Sequence, residues 1–293
     1  MKKLIIIMGF IFSTASIQLL NAGGPWPLQR GKAYLKISEY WIVFDQHYTD
    51  VGVIDPNVTT GIFNTMLYGE YGLTDRFTIG INGALFSRNY MNNLVSGTTG
   101  EILVQGEALN SVGDIDLFLK YGLTKPGSRI PVAVTALFGL PLGKEAGGTQ
   151  GNLQTGDGEF NQLLQLDVGT SFRIGKNINA YTSAYIGFNN RTNGFSDEIR
   201  FGAEIGANVI KDKLWLIGRL AAIESMKNGA VASEVTSTSI FANNTEFISI
   251  GLEANYYLTD KVGLSAGVAG ATRGEIIAAR PSYTFGVFID LSK

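Results

Sequence analysis

Residues 61–86, GIFNTMLYGEYGLTDRFTIGINGALF, alternate apolar and polar side chains on both sides of a two-residue turn, and a period of two specifies a pair of antiparallel strands. On the first arm Phe63, Leu67, Tyr71 and Leu73 share one face, and Asn64, Tyr68 and Glu70 the other. On the second, Phe77, Ile79, Ile81 and Leu85 face away from Thr78, Asn82 and Arg88. The turn Thr74-Asp75 is polar and tight, and its neighbours Tyr71 and Phe77 both fall on the apolar parity, where aromatic rings sit at a membrane–water boundary.

The same grammar recurs along the chain. Tyr71-Gly72-Leu73-Thr74-Asp75 is echoed by Tyr121-Gly122-Leu123-Thr124-Lys125 and by Tyr256-Tyr257-Leu258-Thr259-Asp260, each closing one strand and opening another. Short turns at 173–176 and 211–212 complete a set of five. Strand 1 is expected over about 32–44, with Lys36, Ser38 and Tyr40 against Leu35, Ile37, Trp41 and Val43, and with Glu39 out of pattern on the apolar side. A polar loop over 45–60 follows it, and a long loop over 89–111 follows strand 3. Strand 4, over 114–123, sets Ile115, Leu117, Leu119 and Tyr121 against Asp114, Asp116, Phe118 and Lys120, so three charges point inward together.

Strand 5, over 130–140, ends at Pro141 before a glycine-rich loop, 143–158. Strand 6 turns Leu164, Leu166, Val168 and Phe172 outward and Gln165, Asp167 and Ser171 inward. Strand 7 turns Ile178, Ala180, Ala184, Ile186 and Phe188 outward, and strand 8, over 199–209, sets Phe201, Ala203, Ile205 and Ala207 against Arg200, Glu204 and Asn208. Strand 9, over 214–223, has a mixed face, since Trp215 and Ile217 sit with Arg219. After a loop over 225–245, strand 10 opposes Ile248, Ile250, Leu252, Ala254 and Tyr256 to Ser249, Glu253 and Asn255, and strands 11 (262–272) and 12 (282–291) finish the chain.

Periodicity alone does not say which face meets lipid, because a soluble barrel hides its apolar face and a transmembrane barrel exposes it. A soluble closed barrel of about twelve strands encloses too wide a lumen for apolar filling. Tyr71, Phe77, Tyr121, Phe172 and Tyr256 all lie near tight turns on the apolar parity, as an aromatic girdle requires. The expected fold is therefore all-β: a transmembrane antiparallel β-barrel of about twelve strands, with short periplasmic turns and long extracellular loops. Its inward charges are Lys36, Glu70, Asp114, Asp116, Lys120, Asp167, Arg200, Glu204, Arg219 and Glu253. They either pair across the lumen to brace the wall or line a polar path for solute.

The N-terminus reads Met-Lys-Lys, an apolar run at 4–12, then polar residues ending at Leu20-Asn21-Ala22, which is the pattern of a secretory signal peptide cleaved after Ala22. The apolar run falls short of the ~18 residues that span a bilayer. Residues 23–293 are then expected to form a single barrel domain, preceded by a short lead-in, 23–31, whose Pro25-Trp26-Pro27 cannot join a central ladder.

Composition removes several other functions. Charged residues make up 16% and the net charge is −2, so no nucleic-acid footprint is present. With no cysteine and one histidine, His47, the chain has no disulfide and no ordinary zinc cluster, and no cofactor is expected. Leu140-Pro141-Leu142-Gly143-Lys144 is no phosphate cradle, because Phe138 and Glu145 stand where that motif needs Gly and Ser or Thr. Residues 155–159 offer Asp157 and Glu159 but not the repeated acidic spacing of a calcium loop. Catalysis would have to rest on His47, a lone loop histidine beside Gln46 and Tyr48, and no enzyme is expected. The sequons at Asn57, Asn190 and Asn243 mark exposed loops.

Gly113-Asp114-Ile115-Asp116-Leu117 leading to Lys120-Tyr121, Leu140-Pro141-Leu142-Gly143, the run from Leu153 through Thr155-Gly156-Asp157-Gly158-Glu159, and 166–172 with Gly169 and Ser171 together resemble the outer-membrane barrels labelled "MetA-pathway of phenol degradation". That resemblance implies a fatty-acid-transporter-like channel for hydrophobic or aromatic compounds in a Gram-negative outer membrane. Fatty-acid transporters carry an N-terminal hatch, and 23–31 is too short for one. The partners implied are outer-membrane lipid, a small solute of unknown identity and the barrel insertion machinery, with no nucleic acid. The expected function is passive uptake of small molecules; the alternative is a non-conducting structural or surface-exposed barrel.

Overall fold

The computed structural model describes residues 23–231 and 241–292, which form a closed antiparallel β-barrel with no helix among the described residues. The leader expected at 1–22 lies outside them. Twelve long strands make the wall: β1 (Ala33–Tyr48), β2 (Ile54–Gly72), β3 (Phe77–Met91), β4 (Ile115–Gly122), β5 (Val132–Leu140), β6 (Asn161–Ile174), β7 (Ile178–Arg191), β8 (Glu198–Ile210), β9 (Leu214–Ser225), β10 (Glu246–Tyr257), β11 (Val262–Glu275) and β12 (Ser282–Asp290). Each pairs with its neighbours in the chain. The ring closes where β1 meets β12, from Tyr34↔Asp290 to Trp41↔Tyr283, while the other edge of β1 pairs β2. Closure pairs the backbone donors and acceptors of the wall, the condition for a sheet to cross lipid.

Burial follows the period of two. Along β12 Ser282, Thr284, Gly286, Phe288 and Asp290 are buried, and Tyr283, Phe285, Val287 and Ile289 are exposed. The outward side chains are apolar around the ring, among them Leu164, Ile186, Ile205 and Leu252. The mixed face of β9 is real: Ile217 is buried on the same inward parity as Trp215 and Arg219.

Four expectations are corrected. The loop expected over 45–60 is mostly strand, with Gln46↔Pro56, His47↔Asp55 and Tyr48↔Ile54 paired beyond a bulge at Asp45. Beyond the lipid both faces meet water, so polar residues pair there without any alternation to announce them. For the same reason β3 reaches Met91, Glu107–Ser111 pairs against it, and Leu94–Val95 pairs Ile102–Val104 within the expected 89–111 loop. A bulge at Leu85 reverses parity, placing Phe86 and Arg88 opposite Thr65 and Phe63 on the outward face, so Arg88 does not share a side with Asn82. Strand 4 begins at Ile115, leaving Asp114 in the preceding loop.

The interior is not uniformly polar. Towards the long loops, Tyr40, Ile42, Phe44 and Ile62 cluster with Ala278, and Tyr48, Ile223, Phe247 and Ala271 pack with Ile277 and Ala279. Lys36, Glu70, Lys120 and Glu253 lie nearer the short turns.

Candidate functional site: the barrel interior

Residues 23–31, ahead of β1, run into the barrel. The Leu28 amide donates to Thr78 Oγ1 at 2.8 Å and the Arg30 amide to Asp75 Oδ1 at 3.1 Å. The Gly31 amide donates to the Gly72 carbonyl at 2.8 Å, and Gly72 returns a bond to Lys32 at 2.9 Å. Trp26 meets Tyr181 edge-on, with centroids 5.5 Å apart. Three wall glycines make the room. A Cβ on Gly72 would lie 2.1 Å from the Gln29 carbonyl oxygen, one on Gly122 2.9 Å from Pro27, and one on Gly169 2.8 Å from Pro25.

The repeated Tyr-Gly-Leu-Thr therefore has two causes. Its threonine closes the turn: Thr74 Oγ1 accepts the Phe77 amide and Thr259 Oγ1 the Val262 amide, both at 3.0 Å. Its glycine faces the N-terminal segment. In the third copy Tyr257 replaces that glycine, donates to Asp290 at 2.6 Å and packs edge-on to Phe288. The lead-in is short for a hatch domain, yet it occupies the interior because its backbone bonds directly to the wall.

Above this segment a line of charges crosses five strands. Lys36 Nζ on β1 lies 3.2 Å from Glu253 on β10, which accepts Arg219 Nη1 on β9 at 2.9 Å. Arg219 Nε also donates to Glu204 on β8, whose other oxygen accepts the Tyr181 hydroxyl on β7 at 2.5 Å. On the opposite wall Lys120 on β4, fully enclosed, lies 3.0 Å from Glu70 on β2. Asp167 accepts Thr135 at 3.2 Å and Gln165 at 2.8 Å. Asp116 stands opposite Asn82 in register. Inward parity puts these groups in one enclosure from six or more strands, and the low dielectric there makes mutual pairing the stable arrangement.

Asp114, grouped above with the inward ladder of strand 4, does different work. Its carboxylate accepts the amides of Gly143 at 2.9 Å and Asp157 at 3.2 Å, tying down the loop after β5. A second charge cluster, built from residues the alternation did not single out, holds the same loop. Arg191 at the end of β7 reaches Asp157 at 2.9 Å, Glu159 at 2.8 Å and Glu198 at 2.8 Å, and its guanidinium lies 4.5 Å over the Phe195 ring. Arg200 joins through Glu198 at 2.7 Å. The carboxylates considered for calcium are thus taken by an arginine. Burial pushes the Asp157 carboxyl up to about 6 against the opposing pull of Arg191, and burial also raises Asp114 and Glu159. Asp157 and Glu159 sit in a loop, outside any period, so alternation does not announce the cluster.

Between the N-terminal segment and the wall lies a cavity of about 550 Å³, bordered by Lys36, Glu253, Arg219 and Glu204 and by Tyr34 and Tyr68. Tyr71, Phe77, Phe172 and Tyr256 are exposed on the outer surface near the short turns, and Phe77 packs on Tyr121 with centroids 4.6 Å apart. His47 lies in the β1 extension opposite Asp55 and Ala278, away from the cavity.

No family model matches the chain, and no curated protein does. Among solved structures it is similar to an outer membrane channel from Pseudomonas putida F1, at 15% identity over 92% of this chain and 99% of that one, with a TM-score of 0.56. It also aligns with the NanC porin at 8% identity over 88% of this chain and 98% of that one, TM-score 0.45, and with the KdgM porin at 8% over the same shares, TM-score 0.44. At such identities the Pseudomonas likeness speaks to the fold alone, and the fold is that of a twelve-stranded outer-membrane β-barrel.

Proposed function

We propose that the protein is an outer-membrane channel through which small solutes, hydrophobic or aromatic ones among them, pass down a narrow interior constricted by the N-terminal segment. The observation that carries this is the 550 Å³ cavity inside a closed barrel, where tyrosine rings offer flat apolar surfaces beside the Lys36–Glu253–Arg219–Glu204 line. Such a lining suits a small amphiphile: rings take the apolar body and fixed charges the polar end. On this reading a signal peptide is cleaved after Ala22, the insertion machinery places the barrel, the exposed aromatics near the short turns form a girdle at the lipid interface, and the inward charges line the path.

Planar-bilayer recording of the refolded chain 23–293 tests the proposal. Small discrete steps are expected, with larger ones when residues 23–28 are deleted, because Trp26 and the two prolines then leave the interior. If both chains insulate, the protein is the alternative, a structural barrel, and the apolar clusters around Phe44 and Phe247 are its seal.

A further inference from the structure

Gly23 lies in a backbone conformation that favours glycine, with its Cα facing the Glu70 carboxylate. Its φ of +53° is one that L side chains rarely adopt, and a Cβ there would stand 2.6 and 2.7 Å from the two carboxylate oxygens of Glu70. A Cβ and the α-nitrogen branch from the same carbon, so bond geometry puts that nitrogen within about 5 Å of the nearer oxygen. Around Glu70 the buried charges do not balance. Glu70 and Asp167 are two carboxylates, and among the described residues one ammonium, that of Lys120, faces both. An enclosed carboxylate without a cation is strongly disfavoured, so one more positive group is wanted at this place.

We infer that the missing cation is the chain's own N-terminus: the α-ammonium of Gly23, released by cleavage after Ala22, pairs with Glu70 inside the barrel, shares it with Lys120 and locks the N-terminal segment in place. This rests on the cleavage site proposed above and not on conduction. An amide nitrogen at the same position carries no charge, so the lock exists only in the processed chain. Processing would then do more than detach a leader: it would create the charge that seats the plug. The glycines at 23 and 24, both with positive φ, let the chain turn its end towards the wall.

The experiment is intact-mass and N-terminal analysis of protein purified from the membrane, followed by labelling with an amine-reactive ester at neutral pH. The chain is expected to begin at Gly23. Its α-amine should react at least about tenfold more slowly in the folded barrel than after denaturation, while an exposed turn lysine such as Lys176 reacts at the same rate in both. Glu70→Gln, and separately an alanine inserted ahead of Gly23, should each abolish the protection; the insertion keeps the test decisive if Glu70→Gln does not fold. A different first residue, or an α-amine equally reactive in the folded wild type, overturns the inference. A protected amine in an insulating barrel leaves it standing and removes the channel, and a reactive amine in a conducting barrel does the reverse.

Discussion

Gly72 shows how much a single missing Cβ decides. A methyl there meets the backbone carbonyl of Gln29, which cannot rotate away as a side-chain end would, so the N-terminal segment must shift. Gly218 on the outward face of β9 is a fair control, since a Cβ there finds its nearest neighbour, Ile205, at 3.5 Å. Gly72→Ala is expected to leave the barrel's heat-modifiable migration intact while changing the fluorescence of Trp26 as it leaves Tyr181; Gly218→Ala should change neither. If Gly72→Ala keeps the wild-type emission, the segment does not depend on that contact. The glycine was legible as part of a repeated turn motif. Its reason was not, because the atoms it makes room for lie more than forty residues earlier and carry no signal at turn spacing.

Strands were legible wherever one side meets lipid and the other the interior, since only there does the environment alternate with the backbone. β8 shows this: Ile205 is 53% exposed on the outward parity, and Glu204 beside it joins the interior charges. Arginine at Ile205 should cost about 2–4 kcal/mol in unfolding measured in lipid, as a charge at mid-depth on a lipid face does. Asn208 is a poor inward comparator, because it is buried and its side-chain oxygen accepts the Asp212 amide at 2.9 Å to cap the turn. Ser183 serves better, lining the cavity and standing opposite Glu204 in register. Ser183→Arg should cost less than half of Ile205→Arg, and equal losses would contradict the facing assigned to β7 and β8. Outside the lipid the signal fails, and the extensions of β1, β2 and β3 carry no alternation that announces them. Inside it can mislead in one way: Tyr40, Ile42 and Phe44 are apolar on the inward parity, so β1 carries apolar residues on both faces where the interior is itself packed.

At the scale of the molecule, two segments are fastened to the wall by different chemistry, a backbone-bonded one at the short-turn end and an ion-paired loop at the long-loop end. The second should respond to pH, and the sign follows from burial. Asp157 titrates near 6 in the folded chain against 3.8 for the free side chain, because desolvation outweighs Arg191, and Glu159 and Asp114 shift in the same direction. A carboxyl whose folded pKa is raised binds its proton more tightly when folded. Its contribution is therefore most favourable below the unfolded value and is lost as pH rises from about 4 through 6. Compared with Asp157→Asn, which cannot titrate, the wild-type protein should gain stability on the order of 1–3 kcal/mol between pH 7.5 and 5, read as a rise in the midpoint of heat-modified migration. Acidification that lowers the wild-type midpoint relative to Asp157→Asn would mean that the Arg191–Asp157 pair, at 2.9 Å, outweighs the desolvation of the carboxylate, and that the loop is released rather than strengthened by protons.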